Sequence, residues 1–171
     1  MKPKLSGITC GLALGCVSLA ASAHFVVLYT PQTALLRGAD IPFTMVFTHA
    51  FAGTPTMAMD KPQRFYYSRK SAPGERSEEV DLSQYLEPID WHTEDTTVSA
   101  WKANVPRSEM RSLGDYQVVL EPTPYLEAGE GLYIQQFTKV MINIGGVPGN
   151  WNETLGLPAE IHALNKPYAN W

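Results

Sequence analysis

Proline and glycine interrupt this chain at short intervals, and they constrain its folding more than any other feature. The sequence contains 13 of each, and no stretch between them carries an apolar repeat at helical spacing. Breakers at this density favour short strands over long helices. The clearest strand covers residues 41–48, where large apolar residues occupy the odd-numbered positions and alternate with smaller or more polar ones. The same alternation places His49 on the apolar side.

Further strands are predicted between the turn residues, at 25–29, 64–68, 97–105, 116–121, 132–144 and 159–164. Clusters of turn-forming or charged residues predict loops at 71–81, 121–131 and 145–158. About six or seven short strands separated by turns are typical of a sandwich of two antiparallel sheets. We therefore predict an all-β fold, an antiparallel immunoglobulin-like β-sandwich preceded by a cleaved signal peptide.

The first 23 residues have the three parts of a secretory signal peptide. Lys2 and Lys4 provide a basic start, residues 5–20 carry no charge, and the small residues Ala21 and Ala23 precede the expected cleavage site. The uncharged stretch is also shorter than the roughly 20 apolar residues of a membrane span. We expect cleavage after Ala23, which leaves a single β-sandwich domain over 24–171 with no transmembrane segment.

Cleavage would also change the charge and the cysteine content of the protein. Both cysteines, Cys10 and Cys16, leave with the signal peptide, so neither disulfides nor thiolate metal sites are expected. A lipid anchor at Cys16 is a less favoured alternative, because Leu14 is bulky for such a site. The loss of Lys2 and Lys4 from 13 basic residues against 17 acidic ones makes the protein more acidic. An acidic surface argues against nucleic acid as a partner.

Cleavage after Ala23 would give His24 a free α-amine beside its imidazole. An α-amine has a pKa of about 7.7–8.0, so a divalent metal ion displaces its proton near neutral pH. The amine and the Nδ1 atom then close one chelate ring, a donor set that suits nickel, cobalt and copper. His49 is the natural second ligand if its strand lies beside 25–29. The alternative is that His24 simply begins a strand and His49 bonds a backbone carbonyl.

Other candidate residues have ordinary structural explanations that are at least as good. His92 is predicted on an exposed turn, and His162 lies near the chain end. Met45, Met57 and Met59 suit either a thioether copper site or core packing. The many aromatic residues suit either a sugar-binding platform or a sandwich core. Neither a Gly-x-Ser-x-Gly elbow nor a phosphate-binding glycine loop is present, so no catalytic residue is assigned.

Short motifs along the chain resemble those of one exported bacterial family. In chain order they are Ala23-His24-Phe25, Pro31, Gly38, Ile41-Pro42-Phe43, Phe47-Thr48-His49, Gly53, Met57, Met59, Lys61-Pro62, and the segments 157–161 and 165–168. Together they resemble the NikM-like periplasmic domain family of unknown function, which is associated with nickel or cobalt uptake. Ala50 departs from the proline that commonly follows the Thr-His pair. Family members usually continue into a second β-domain, whereas this chain resembles only the first.

The resemblance implies a periplasmic protein that captures or delivers nickel or cobalt. It implies His24 and His49 as ligands of a divalent transition metal, and a membrane metal-uptake system as the partner. Two alternatives remain open. The same residues match a copper-binding histidine brace, the site of oxidative polysaccharide-cleaving enzymes. The second alternative is a non-catalytic module that binds carbohydrate or protein.

Overall fold

The structure, a computed structural model, describes residues 24–49, 54–71, 75–127 and 131–168, without the side chains of residues 49, 54 and 55. The predicted signal peptide lies outside the described residues. The described residues form twelve strands and one 3-10 turn, but no α-helix. The strands are β1 (Phe25–Tyr29), β2 (Ala34–Leu35), β3 (Ile41–His49), β4 (Thr54–Met57), β5 (Arg64–Arg69), β6 (Glu78–Asp81), β7 (Leu86–His92), β8 (Thr97–Val105), β9 (Gly114–Glu121), β10 (Tyr125–Glu127), β11 (Leu132–Ile134) and β12 (Thr138–Ile144). No helix in these ranges is long and apolar enough to cross a membrane.

The strands form two sheets in the order of an immunoglobulin domain. The first sheet has the order β1-β3-β8-β7, with β4 beside the end of β3, and the second has the order β2-β12-β9-β5-β6. Neighbouring strands are antiparallel, except that β2 pairs with β12 in parallel. A hairpin of β10 and β11 lies in the connection between β9 and β12. This division of the strands between two sheets confirms the predicted fold class.

The two sheets enclose one hydrophobic cluster to which both contribute. Phe43 of β3 and Phe65 of β5 are almost completely buried, and their rings meet edge to face with centroids 5.5 Å apart. The odd-numbered apolar residues of β3 all lie in this cluster. The alternation in the sequence therefore identified the core-facing side of β3 correctly.

Tyr116 fixes the corner at which the chain enters β9. Its hydroxyl donates a hydrogen bond to the Ser112 carbonyl, four residues upstream, at 2.9 Å. Its ring meets that of Tyr67 edge to face, with centroids 5.0 Å apart, and burial raises the pKa of the Tyr116 hydroxyl. A tyrosine near the start of this strand that bonds back to the preceding backbone is the tyrosine corner of immunoglobulin-like folds.

Strand β9 is buried on both faces, because a second layer covers the outside of its sheet. On the outer face, Asp115 and Gln117 are 1% and 0% exposed. Residues 145–168, which we call the C-terminal cover, run over this face without forming a strand. The side-chain amide of Gln117 donates to the carbonyls of Asn150 and Glu153, at 2.6 Å and 3.1 Å. The outer face of the sheet thus bonds the cover's backbone.

The Asp115 carboxylate attaches the start of the cover. One oxygen accepts a hydrogen bond from the Asn143 side chain at 2.7 Å. The other accepts from the backbone N–H groups of Gly149 and Trp151, at 2.5 Å and 3.2 Å. A buried carboxylate needs this many donors, since a buried charge without partners is strongly destabilising. The buried Asp115 carboxylate of the sheet therefore depends on backbone donors of the cover.

Glu160 attaches the middle of the cover to β12. Its side chain is 5% exposed and forms an ion pair with Lys139 at 2.6 Å. It also accepts hydrogen bonds from the backbone N–H groups of Leu155 and Gly156. Burial alone would raise the pKa of Glu160, but the Lys139 ammonium and these backbone donors outweigh it, and the pKa is lowered. The ionised form of Glu160 is thus the form that holds the cover.

Five predicted strands are confirmed with bounds that differ by at most two residues. They are those at 25–29, 41–48, 64–68, 97–105 and 116–121. The strand predicted at 132–144 is divided into β11 and β12, because residues 135–137 leave the sheet. The strand predicted at 159–164 is wrong. Its backbone belongs to the irregular cover, where the Glu160 carboxylate replaces a strand partner.

The predicted loops at 71–81 and 121–131 contain the strands β6 and β10, and β7 was not predicted at all. Both β6 and β7 are edge strands, and most of their residues are exposed. Edge strands with a solvated face need no apolar alternation, since backbone hydrogen bonds to the neighbouring strand hold them. Hydrophobic periodicity consequently gives no signal for either one.

The tyrosine corner predicts the effect of removing a single oxygen atom. Replacement of Tyr116 by phenylalanine keeps the ring contacts but removes the bond to the Ser112 carbonyl. We expect the free energy of unfolding to fall by about 1 kcal/mol, the usual net contribution of such a bond. Urea titration measures this value. Tyr29→Phe, at a residue that is 59% exposed, is the control and should change little; equal effects of the two variants would contradict the assignment.

The lowered pKa of Glu160 predicts how stability depends on pH. A carboxyl with a lowered folded pKa stabilises the fold above its unfolded pKa, ordinarily 4.5, and loses that effect as the pH falls through the folded pKa. Glu160→Gln should therefore reduce the free energy of unfolding at neutral pH and flatten its decline on acidification. Urea titrations at about pH 7 and pH 4 measure both. The control is Glu87→Gln, in an exposed pair with Lys102, for which an effect below about 0.5 kcal/mol is expected. An equally small effect of Glu160→Gln would refute the role of Glu160.

Candidate functional site

The start of β1 and the end of β3 meet at one end of the sandwich, which we call the His24 end. The antiparallel register pairs Phe25 with Thr48 at this end of the two strands. The next positions beyond this pair are 24 and 49, which we expect to face each other if the same register continues. Cβ atoms at directly opposed positions of an antiparallel pair lie about 4.5–5.5 Å apart. The expectation that the two predicted strands are neighbours is confirmed, and the last pair of their register lies one residue from each histidine position.

His24 packs against an aromatic wall. The residue is 9% exposed, and its ring centroid lies 5.9 Å from that of Phe47 on β3. Phe47 in turn contacts Tyr125 of β10, with centroids 4.5 Å apart. The hairpin of β10 and β11 thereby closes over the His24 end from the second sheet's side. His24 is thus largely shielded from water at one end of the core.

The side chain of Gln136 clamps the backbone at His24. Its Nε2 atom donates to the His24 carbonyl at 2.6 Å, and its Oε1 atom accepts from the Val26 N–H at 3.0 Å. The Thr138 hydroxyl adds a bond to the Val26 carbonyl at 2.9 Å. These bonds occupy the outer edge of β1, where a neighbouring strand would otherwise pair. Gln136 therefore fixes the backbone direction of residue 24.

No pattern in the sequence marks Gln136 for this role. It lies inside the apolar run 132–144, which was predicted to be one strand. A polar residue in such a run is normally an outward-facing strand position. The clamp becomes visible only when β1 and β12, distant in sequence, are seen at adjacent sheet edges.

The methionines near the site divide between core and periphery. Met45 and Met59 are buried members of the hydrophobic cluster, which supports the core-packing interpretation for these two. Met57 is half-buried and stands opposite Phe47 in the pairing of β3 with β4. The same pairing sets His49 opposite Thr54. Met57 also packs against the hydrophobic cluster, as the core-packing interpretation expects.

The described residues at the His24 end line a small cavity. A cavity of about 30 Å³ lies among Val26, Phe47, Met59, Tyr125 and Gln136. That volume corresponds to about one water molecule. The site as described therefore suits an ion or a water molecule better than an organic substrate.

The other two histidines lie elsewhere. His92 is the last residue of β7 rather than part of a turn, and its Nδ1 atom lies 2.8 Å from the Thr97 hydroxyl. His162 is exposed on the C-terminal cover, with Nε2 3.4 Å from the Thr154 hydroxyl. Among the side chains that the structure describes, no group of three or more His, Cys, Asp or Glu residues could hold a metal ion. The side chain of His49 is not one of these.

Comparison with known proteins places the chain in a family. The model of a domain of unknown function, DUF4198, matches residues 21–171. The chain belongs to this family. No curated protein and no solved structure matches it. The match starts three residues before His24 and includes both sheets and the C-terminal cover.

The Gln136 clamp predicts a local effect on β1. Gln136→Leu preserves the approximate size of the side chain but removes both hydrogen bonds, so the Val26 N–H loses its acceptor. We expect the Val26 amide to exchange its hydrogen at least about tenfold faster, which corresponds to a loss of about 1.4 kcal/mol in local stability. Exchange measured residue by residue with NMR tests this. The control Gln32→Leu, at an exposed loop residue, should leave the amide exchange rate of Val26 unchanged. An unchanged rate in Gln136→Leu would contradict the role of the clamp.

Proposed function

We propose that this protein is exported to the periplasm, binds a divalent transition metal ion there, and passes it to an uptake system. The cargo in this proposal is nickel or cobalt. The ligands are the α-amine and imidazole of His24, once His24 is the first residue, together with the imidazole of His49. The observation that supports the proposal is the register of β1 and β3, whose last pair, Phe25 opposite Thr48, is next in sequence to both histidines.

The geometry of opposed strand positions fits a shared metal ion. Metal–nitrogen bonds to imidazole are about 2.0–2.1 Å long, with zinc as the reference. Two imidazoles from positions whose Cβ atoms are about 5 Å apart can reach one ion. The α-amine of His24 needs no additional reach, because it belongs to the same residue. The residues present therefore fit a three-nitrogen site.

The Gln136 clamp supports the same proposal from the backbone. A chelate that uses the chain terminus requires the terminal residue to be held, because free chain ends are usually poorly ordered. The bond from Gln136 to the His24 carbonyl restrains that residue on the side away from the metal. Preorganisation of this kind lowers the entropy lost when an ion binds.

The range of the family match is compatible with cleavage after Ala23. It starts at residue 21, so nearly all of the predicted signal peptide lies outside the part that the family shares. The resemblance to the NikM-like periplasmic family supplies the association with nickel or cobalt uptake. In this proposal the protein has a carrier role, and three nitrogen ligands leave coordination positions open for a receiving partner.

The test is a titration of the processed protein, residues 24–171, with Ni²⁺ alone by calorimetry. His49→Ala and a variant with one glycine added before His24 should each weaken binding at least about tenfold, because each removes a donor from a small set. His92→Ala and His162→Ala are the matched controls and should bind like the wild type.

Two results would contradict the proposal. One is equal Ni²⁺ affinity with and without the added glycine, which would remove the terminal amine from the site. The other is equal loss of affinity in the four variants, which would indicate nonspecific surface binding. Thermal unfolding without metal checks that each variant is folded.

A further inference from the structure

A cleft separates the C-terminal cover from the edge of the second sheet. Its volume is about 730 Å³, within the range of about 300–1,000 Å³ that is common for small-molecule sites. One wall is β12 and the residues just before it, and the other is the cover. Its apolar lining includes Phe137, Met141, Trp151, Leu157, Ala163 and Pro167.

Both walls of the cleft are fixed within the protein. The β12 wall pairs with β9 along its whole length. The cover wall is attached at its start by Asp115 and in its middle by Glu160. A cleft between two attached walls is preformed, so a ligand does not have to order the chain in order to bind.

The charged groups of the lining are already bonded within the protein. Lys139 and Glu160 form an ion pair at 2.6 Å. Glu153 pairs with Lys70 at 2.6 Å and also accepts a hydrogen bond from Ser77. An anionic ligand would meet a lysine that already has a carboxylate partner, together with two carboxylates. The charges therefore oppose an anion.

The neutral polar groups at the rim are also engaged. The Gln136 amide bonds the backbone of β1, and the Gln135 amide donates to the Pro122 carbonyl at 2.8 Å and to Gln63. A strongly polar ligand would have to displace these bonds. Burial of apolar surface against Phe137 and Trp151 requires no such exchange.

We propose that this cleft binds a neutral, largely apolar organic molecule that contains a ring. The site is separate from the histidine pair, although Gln136 borders both. Its ligand binds by apolar contact with the β12 wall and with Trp151 of the cover. This proposal does not depend on metal binding, because none of its arguments uses His24 or His49.

Two dyes that differ in one charged group test the class of ligand. N-phenyl-1-naphthylamine is neutral and fluoresces in apolar sites, and 1-anilinonaphthalene-8-sulfonate has the same ring systems with an added sulfonate. Titration of the processed protein, residues 24–171, should give saturable binding of one neutral dye molecule per chain. The sulfonate should bind at least about tenfold more weakly, because Lys139 of the lining is already paired with Glu160 and Glu153 adds a second carboxylate.

Matched variants test the location. Ala163→Phe fills the cleft and should weaken binding of the neutral dye by about tenfold or more, as is typical of steric changes in an apolar pocket. Ala34→Phe, at an exposed residue of β2 outside the lining, should not. A second measurement uses fluorescence energy transfer from tryptophan to the bound dye, which should fall in Trp151→Phe. It remains informative if Ala163→Phe fails to fold.

Three outcomes would overturn the proposal. They are absence of saturable binding by the neutral dye, equal affinity for the two dyes, and unchanged binding and energy transfer in the cleft variants. Self-association of the protein that Ala163→Phe abolishes, without dye binding, would assign the cleft to a second copy of the chain and would equally overturn it.

Discussion

Burial of both faces of β9 is the constraint from which the rest of the second sheet follows. Its inner face packs into the core, while its outer face carries Asp115 and Gln117, which would be destabilising in an apolar layer without partners. Their hydrogen bonds go to backbone groups of the C-terminal cover. The chain therefore has to turn back over the sheet after β12. Gly145 and Gly146 make this reversal with φ angles of 77° and 70°, a region that non-glycine residues rarely adopt.

In the first sheet, the backbone groups along the open edge need hydrogen-bond partners. β1 is an edge strand, and an uncovered edge exposes unpaired backbone groups. Side chains from Gln136 and Thr138 satisfy the β1 backbone instead of another strand. The same bonds hold residue 24 in line with β3. The same hydrogen bonds thus satisfy the open edge of β1 and position residue 24.

Much of the fold could be predicted because β3 alternates clearly and turn residues separate the other central strands. The alternation in β3 identified its core face, and the turn residues separated the other central strands correctly. The same signals were absent from β6 and β7, which are exposed edge strands. They misled at 159–164, where Ile161 and Leu164 are almost fully exposed and the backbone forms no strand. Alternation reports burial of one face, so it cannot distinguish a strand from a coil that lies over a sheet.

The candidate site was predictable only in part. His24 could be singled out because the leader places it at the expected new terminus, and His49 because the strand pattern ends there. Their opposition depends on the pairing register of β1 with β3, which a single sequence does not specify. The role of Gln136 depends on a contact over 110 residues of sequence. No local pattern marks a glutamine that replaces a strand partner.

Apolar packing, rather than a deep polar pocket, surrounds the His24 end. The small cavity described there has a volume of about 30 Å³, whereas the cleft beside the cover has a volume of about 730 Å³. The two features share Gln136 but differ in chemistry, since one offers nitrogen donors and the other offers apolar surface. The proposed metal site at the His24 end and the proposed ligand site in the cleft are therefore separate and can be tested independently.

Native mass spectrometry of the protein purified from the periplasm tests the central claim most directly, because one spectrum gives both the first residue and the bound metal. We expect the mass of residues 24–171 plus one transition-metal ion for the wild type, and the mass of the substituted polypeptide without the ion for His49→Ala. A chain that begins at another residue, or a correctly processed chain that retains its metal in His49→Ala, would contradict it.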